Sequence, residues 1–131
     1  MIILHSDAVM CHMQAGDEPD KVFAQALIDE VFRDMDRSLR EMGVGDMGVG
    51  KRVKKMATVY YGRANAYANA RTEGEAALTA ALVRNVFEGA ESTTQAAERL
   101  AKYTLLLHDA VGAMDRADIR AGNLNLDGLR P

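Results

Sequence analysis

Cysteine is almost missing from this chain: Cys11 is alone among 131 residues. An internal disulfide is therefore impossible, and no paired thiol motif exists to hold zinc or carry redox chemistry. Proline occurs only as Pro19 and Pro131, so the long middle of the chain holds no obligatory helix breaker. Strict apolar/polar alternation is scarce, which argues against a sheet. No apolar run reaches the roughly 18–20 residues that cross a bilayer. Asp7, His12 and Asp17 break up the start, and Thr79 and Arg84 interrupt the alanine-rich middle. Neither sign of charge dominates: 16 Lys+Arg face 19 Asp+Glu, so there is no global attraction to nucleic acid or anionic lipid. The first residues lack the basic start and cleavage site of a signal peptide, and the first arginine, Arg33, comes too late for a transit peptide.

What is present is the composition of a folding domain, 48% hydrophobic and 27% charged, at a length suited to one core. The expected architecture is all-α, a compact bundle of about five to six helices with a glycine-rich helix-loop-helix corner. A first helix over residues 1–15 stops at Gly16, and Asp17, Glu18 and Pro19 restart the chain. From Val22 to Met42, the residues Ala24, Ile28, Val31, Met35, Leu39 and Met42 form one apolar stripe, ended by a Gly43 cap. A third helix starts near Asp46–Val49 and runs to about Ala70, burying Val49, Val53, Met56, Tyr60, Ala64 and Tyr67. Lys51, Lys54 and Lys55 then face away from the core, while Arg52 and Arg63 lie at its flank. A fourth helix, Glu75–Phe87, ends before Gly89, and Ser92–Gln95 reads as a capping box. The fifth, Thr93 to about Val111, buries Leu100, Tyr103, Leu107 and Leu106. A short sixth covers Asp115–Ala121.

Two phosphate-binding patterns fall in the corner. Gly43-Val44-Gly45-Asp46-Met47-Gly48 spells G-x-G-x-x-G, but that fingerprint needs a preceding strand, and the residues before Gly43 end an amphipathic helix. Gly45 to Lys51 spells G-x-x-x-x-G-K, yet Arg52 stands where a P-loop needs Ser or Thr to hold magnesium. The glycines read instead as a corner supplying left-handed backbone and close helix approach. Three readings stay open for Lys51-Arg52-Val53-Lys54-Lys55: a solvated helix face, contact with an acidic or polar partner, or the second helix of a helix-turn-helix nucleic-acid module. The acidic balance of the chain disfavours the last.

Catalytic constellations are thin. His5, His12 and His108 are not preceded at three residues by glutamate, so no di-metal carboxylate motif exists. His5 and His12 share a face of a terminal helix with Cys11 nearby, a setting where grouping is more often incidental than metal-binding. Cys11 has no cation beside it in sequence to lower its pKa. Asp34 and Asp36 point to different sides of a helix and fit pairing with Arg33, Arg37 and Arg40 better than acid/base work. Asp36 and Arg52 could also pair across the corner. The reading is not an enzyme, with no cofactor and no metal.

One ordered set of residues goes further. Asp34-Met35-Asp36-Arg37-Ser38-Leu39-Arg40-Glu41-Met42-Gly43-Val44-Gly45-Asp46, then Val49-Gly50-Lys51-Arg52-Val53-Lys54-Lys55-Met56 and Tyr61-Gly62-Arg63, resembles the ubiquinol-cytochrome c chaperone family. The likeness covers Phe23 to Tyr67 and, more loosely, Ala81 to Phe87. It implies a non-enzymatic assembly factor for the cytochrome bc1 complex, with newly made cytochrome b as its hydrophobic client. In mitochondria such proteins act with a small partner protein and at the ribosome. The bacterial version would be cytoplasmic, at the inner face of the inner membrane and peripheral to it. The expected partner-binding residues are Arg37, Arg40, Asp46, Lys51, Lys54 and Lys55, with Tyr61 and Arg63 at the margin. Residues 1–131 would form a single helical chaperone domain. Met1-Ile2-Ile3-Leu4-His5 resembles the interior of a family helix, so further helical residues are expected upstream. The ending GNLNLDGLRP has no strong family counterpart.

Overall fold

The computed structural model describes residues 2–87, 93–127 and 129. Six helices follow one another: α1 (Ile2–Gln14), α2 (Glu18–Glu41), α3 (Asp46–Glu73), α4 (Glu75–Val86), α5 (Thr94–Gly112) and α6 (Arg116–Arg120). There is no strand among the described residues. None of the described helices is long and apolar enough to cross a membrane. The Gly89 stop and the Ser92 start of the expected capping box lie outside the described residues.

The chain turns where its local chemistry demands. Gly16 separates α1 from α2, and a Cβ there would collide with the Asp20 carboxylate and come within 2.8 Å of Arg116 Cδ. The second helix starts at Glu18 with Pro19 in its first turn, where Asp17, Glu18 and Pro19 are expected to restart the chain. A reciprocal cap fixes that start: Asp20 N–H donates to Asp17 Oδ1 at 3.3 Å, and Asp17 N–H donates to Asp20 Oδ2 at 3.2 Å. Aspartate thus does here what Glu or Gln does in the usual capping box.

At the far end of α2, Gly43 has φ +80°. Its N–H donates to Arg40 O at 2.9 Å, and the Val44 N–H donates to Leu39 O at 3.1 Å. This is a Schellman ending, in which a left-handed residue lets two backbone donors fold back on orphan carbonyls. The other corner glycines work differently from the expectation of left-handed backbone. Gly45 is extended at φ −64°, Gly48 and Gly50 already lie inside α3, and only Gly48 has a close neighbour, Val44 Cγ1 at 3.1 Å from a Cβ built there. A single residue, Gly74 at φ +109°, joins α3 to α4. This sharp join folds α4 back along α3, and α5 packs on α4.

Three apolar clusters hold the helices together. Leu4, Tyr67, Ala70, Leu78, Ala81, Leu82, Ala97 and Ala101 form the first, where small residues let α4 and α5 approach closely. The second joins Ala8 and Met13 of α1 to Ala24, Tyr103, Leu107, Val111 and Ile119. The third and smallest is Ile28, Val31 and Tyr60, flanked by Ile3, Met10, Phe32 and Met35. Several stripe residues depart from the expected pattern. Met42, just past the end of α2, is 71% exposed, Met56 is 37% exposed and Leu106 is 55% exposed, while Val53, Ala64 and Leu100 are half-buried. Met42 is released because the Schellman turn takes the chain off the helix. Met56 is released because the core beside it is thin.

Candidate functional site

The first half of α3 carries the candidate site. At 100° per residue, Lys51, Lys55 and Val59 form one row along the helix, and Arg52, Met56 and Arg63 form the next. Lys51, Arg52, Lys54 and Lys55 are all exposed. None of the four reaches a carboxylate within ion-pair distance among the described residues. The expected pairing of Asp36 with Arg52 does not occur. Asp36 instead accepts from Arg40 Nε at 2.7 Å, one turn along its own helix. Arg40 also bonds Asp46, tying the end of α2 to the start of α3. Arg33 pairs with Glu30, and Arg37 lies 3.9 Å from Asp34. These arginines are thus engaged locally, and the lysines are not.

Beside the cationic row lies an apolar groove of about 240 Å³, lined by Ile2, Ile3, Met35, Lys55, Met56, Val59 and Tyr60. Its floor is Tyr60, 2% exposed, whose hydroxyl sits 2.8 Å from Ser6 Oγ and 3.5 Å from Met10 Sδ. Burial pushes the Tyr60 phenol up, against the lowering effect of the Ser6 contact. Its walls are accessible: Ile2 is 53% exposed and Val59 40%. Apolar side chains left open around a buried ring make a surface that a second apolar surface can cover.

The expected partner residues do not converge on one patch. Lys51 and Lys55 share a row, and Lys55 lines the groove. Arg40 and Asp46 occupy the corner, bonded to each other. Tyr61 and Arg63, two residues apart, point about 160° away from each other around the axis. Tyr61 belongs to a different hollow of about 230 Å³ with Asp7, Met10, Cys11, Gln14, Ala64 and Asn65. Its ring also packs edge-on against Tyr60, with centroids 5.5 Å apart, and tilted against Phe32.

A buried polar knot was not foreseen from the sequence. Asp7 Oδ2 accepts from Arg71 Nη1 at 2.8 Å, His108 Nε2 lies 3.5 Å from the same oxygen, and Arg71 also bonds His108. Burial by itself would raise the Asp7 carboxyl, but His108 and Arg71 outweigh it and hold it below its ordinary value. Arg71 Nη2 reaches Cys11 Sγ at 3.7 Å, so the cation lacking in sequence is delivered by the fold. The thiol is nonetheless raised, by burial first and by Asp7 second. It is therefore held mainly in its protonated form at neutral pH. The other histidines are held by neighbours: His5 Nε2 is 2.7 Å from Tyr103 Oη, and His12 Nε2 is 3.0 Å from Met114 O. No metal-binding group of His, Cys, Asp and Glu forms among the described residues. The one sequence hint of the knot was Asp7, the single carboxylate on α1, which has to find a partner if buried.

An all-α molecule whose buried side-chain polar groups are satisfied from within among the described residues, and which opens an apolar groove beside a cationic row, belongs to the class of helical binding proteins. The comparisons give the particular family. The model of the ubiquinol-cytochrome C chaperone family matches residues 1–126, and this chain belongs to that family. A solved structure described as the Cbp3 homolog from Brucella abortus is 34% identical, superposes with a TM-score of 0.81, and is matched over 98% of this chain and 73% of its own length. A comparison with curated proteins found no significant match.

Proposed function

We propose that this chain receives newly made cytochrome b on its way into the bc1 complex, at the cytoplasmic face of the inner membrane. Family membership supports the chaperone role. The observation that supports the placement of the client is that Lys51, Arg52 and Lys55 of α3, without ion-pair partners among the described residues, border an open apolar groove. A hydrophobic client needs its apolar surface covered before assembly, and a groove lined by two methionines can adapt its shape to do so. The work is binding, and no bond is made or broken. Of the candidate residues, Lys51, Lys54 and Lys55 supply the free polar contacts, while Arg40 and Asp46 hold the corner that presents them and Arg37 stands one turn back on α2 beside Asp34. Tyr61 and Arg63 lie at opposite margins. Deleting the gene in its native bacterium and measuring bc1 heme b and cytochrome b tests this reading. A marked loss of both is expected, and normal levels would overturn it.

A further inference from the structure

The chemistry of the groove narrows what can occupy it. Its exposed lining is almost wholly apolar, from Ile2 and Ile3 on α1, Met35 on α2 and Met56, Val59 and Tyr60 on α3, with Lys55 as the one charged member. At about 240 Å³ it falls below the roughly 300–1,000 Å³ of sites that enclose a drug-sized molecule. A space of this size suits one or two inserted side chains. It is concave, which favours a protruding side chain over the smooth surface of a bilayer. Around its rim Lys51, Arg52 and Lys55 present positive charge with no carboxylate in ion-pair reach among the described residues, whereas Lys54, about 200° around the helix from Met56, faces away from it. The chain as a whole is acidic, at net −3, so this local cationic field selects a partner of opposite sign by contrast with its surroundings.

We infer that the groove is an anchor site for an amphipathic helix whose large apolar side chain enters between Ile2, Met35, Met56 and Val59, and whose flanking Asp or Glu residues meet Lys51 and Lys55. The apolar insertion supplies the affinity, and the lysines set the register and orientation of the bound helix. This inference rests on the client reading above in taking the helix to belong to the assembling protein, and it adds where that helix sits and what sequence it carries.

The test uses the full chain and three probes of defined composition. The first is a fluorescent helical peptide with leucines at i, i+4 and glutamates flanking them. The second is the same peptide with lysines for glutamates, and the third is vesicles containing phosphatidylglycerol. The glutamate peptide is expected to bind at least tenfold more tightly than the lysine peptide at low salt. Val59→Glu should abolish that binding with helix content unchanged by circular dichroism. The double variant Lys51→Glu with Lys55→Glu should invert the preference between the peptides, an outcome that misfolding cannot produce. Equal binding of the two peptides, undiminished binding by Val59→Glu, or vesicle binding without peptide binding would each overturn the inference. The bacterial strain separates the two levels. If gene deletion lowers bc1 heme b but the Val59→Glu and Lys51→Glu/Lys55→Glu strains keep it normal, the groove inference fails and the client reading stands. If deletion itself leaves bc1 intact, the client reading fails.

Discussion

The two halves of α3 carry positive charge to opposite fates. In the first half, Lys51, Arg52, Lys54 and Lys55 stand in solvent without ion-pair partners among the described residues. In the second half, Arg71 is drawn inward, its side chain 16% exposed, to meet Asp7 of α1 and His108 of α5. One helix therefore serves recognition at its start and cohesion at its end. The difference lies in what packs against each half. The start of α3 packs against α2 and α1 around the small Ile28–Val31–Tyr60 cluster, which Ser6 and Met10 of α1 also reach. The inward face of the end meets α1, α4 and α5. A charge drawn into that face must be paired because little water reaches it. A charge at the open end is solvated and can wait for a partner.

Breaking the enclosed end should have the largest effect. Arg71→Met leaves the Asp7 carboxylate buried with His108 alone, and urea unfolding should report a loss of about 3–5 kcal/mol. Adding Asp7→Leu should restore much of that loss, because removing both partners leaves no uncompensated charge. If the double variant is no better than the single, the knot does more than satisfy its own charges.

Acid should reach the same end. The Asp7 carboxyl lies below its ordinary 3.8 in the folded chain, so folding favours its ionised form. The stability it contributes is complete above the unfolded value and drains away as pH falls through the folded one. Acid unfolding of the parent should therefore steepen below about pH 4. The Asp7→Asn variant should start less stable at neutral pH and lose less over that same interval, which chemical denaturation at a series of pH values would measure.

A smaller effect is expected at the corner. Gly43→Ala forces a Cβ into φ +80°, although nothing lies within 4 Å of the added atom. The cost is purely conformational, about 1–2 kcal/mol, read from the urea midpoint. Gly50→Ala, at an open helical position, should be neutral or slightly stabilising by comparison.

The open end should show the least effect on stability. Lys51→Glu, Lys54→Glu and Lys55→Glu together should leave the urea midpoint essentially where it was. The same triple variant should lower cytochrome b and bc1 heme b in the bacterium. A variant that unfolds the chain would erase the distinction between the two halves of α3.

Much of this was legible in the residues themselves. Asp17 and Pro19 announced the start of α2, Gly43 its end, and Asp46 the start of α3, because caps and turns depend on neighbours a few residues apart. The outward face of Lys51, Lys54 and Lys55 followed from the helical period alone. Met42, Met56 and Leu106 were misplaced because periodicity says which residues share a face and not how far along the helix a neighbouring element extends. The groove was hidden for the same reason, since Ile2, Met35 and Val59 come from three helices. The link between Arg40 and Asp46 fell between two residues singled out as partner contacts, and the fold shows that they contact each other.

By itself, then, the sequence determined the helical class, the order of most elements, the corner and its exposed cations, since each depends on interactions within a few turns of chain. The ordered run from Asp34 to Arg63 was also enough to point to the chaperone family. Only the tertiary structure decided that Asp7, Arg71 and His108 would meet across 101 residues of chain and that α1, α2 and α3 would leave an apolar groove beside Lys55. Both depend on how separate helices pack, and packing geometry is a property of pairs of surfaces that no local window of sequence contains.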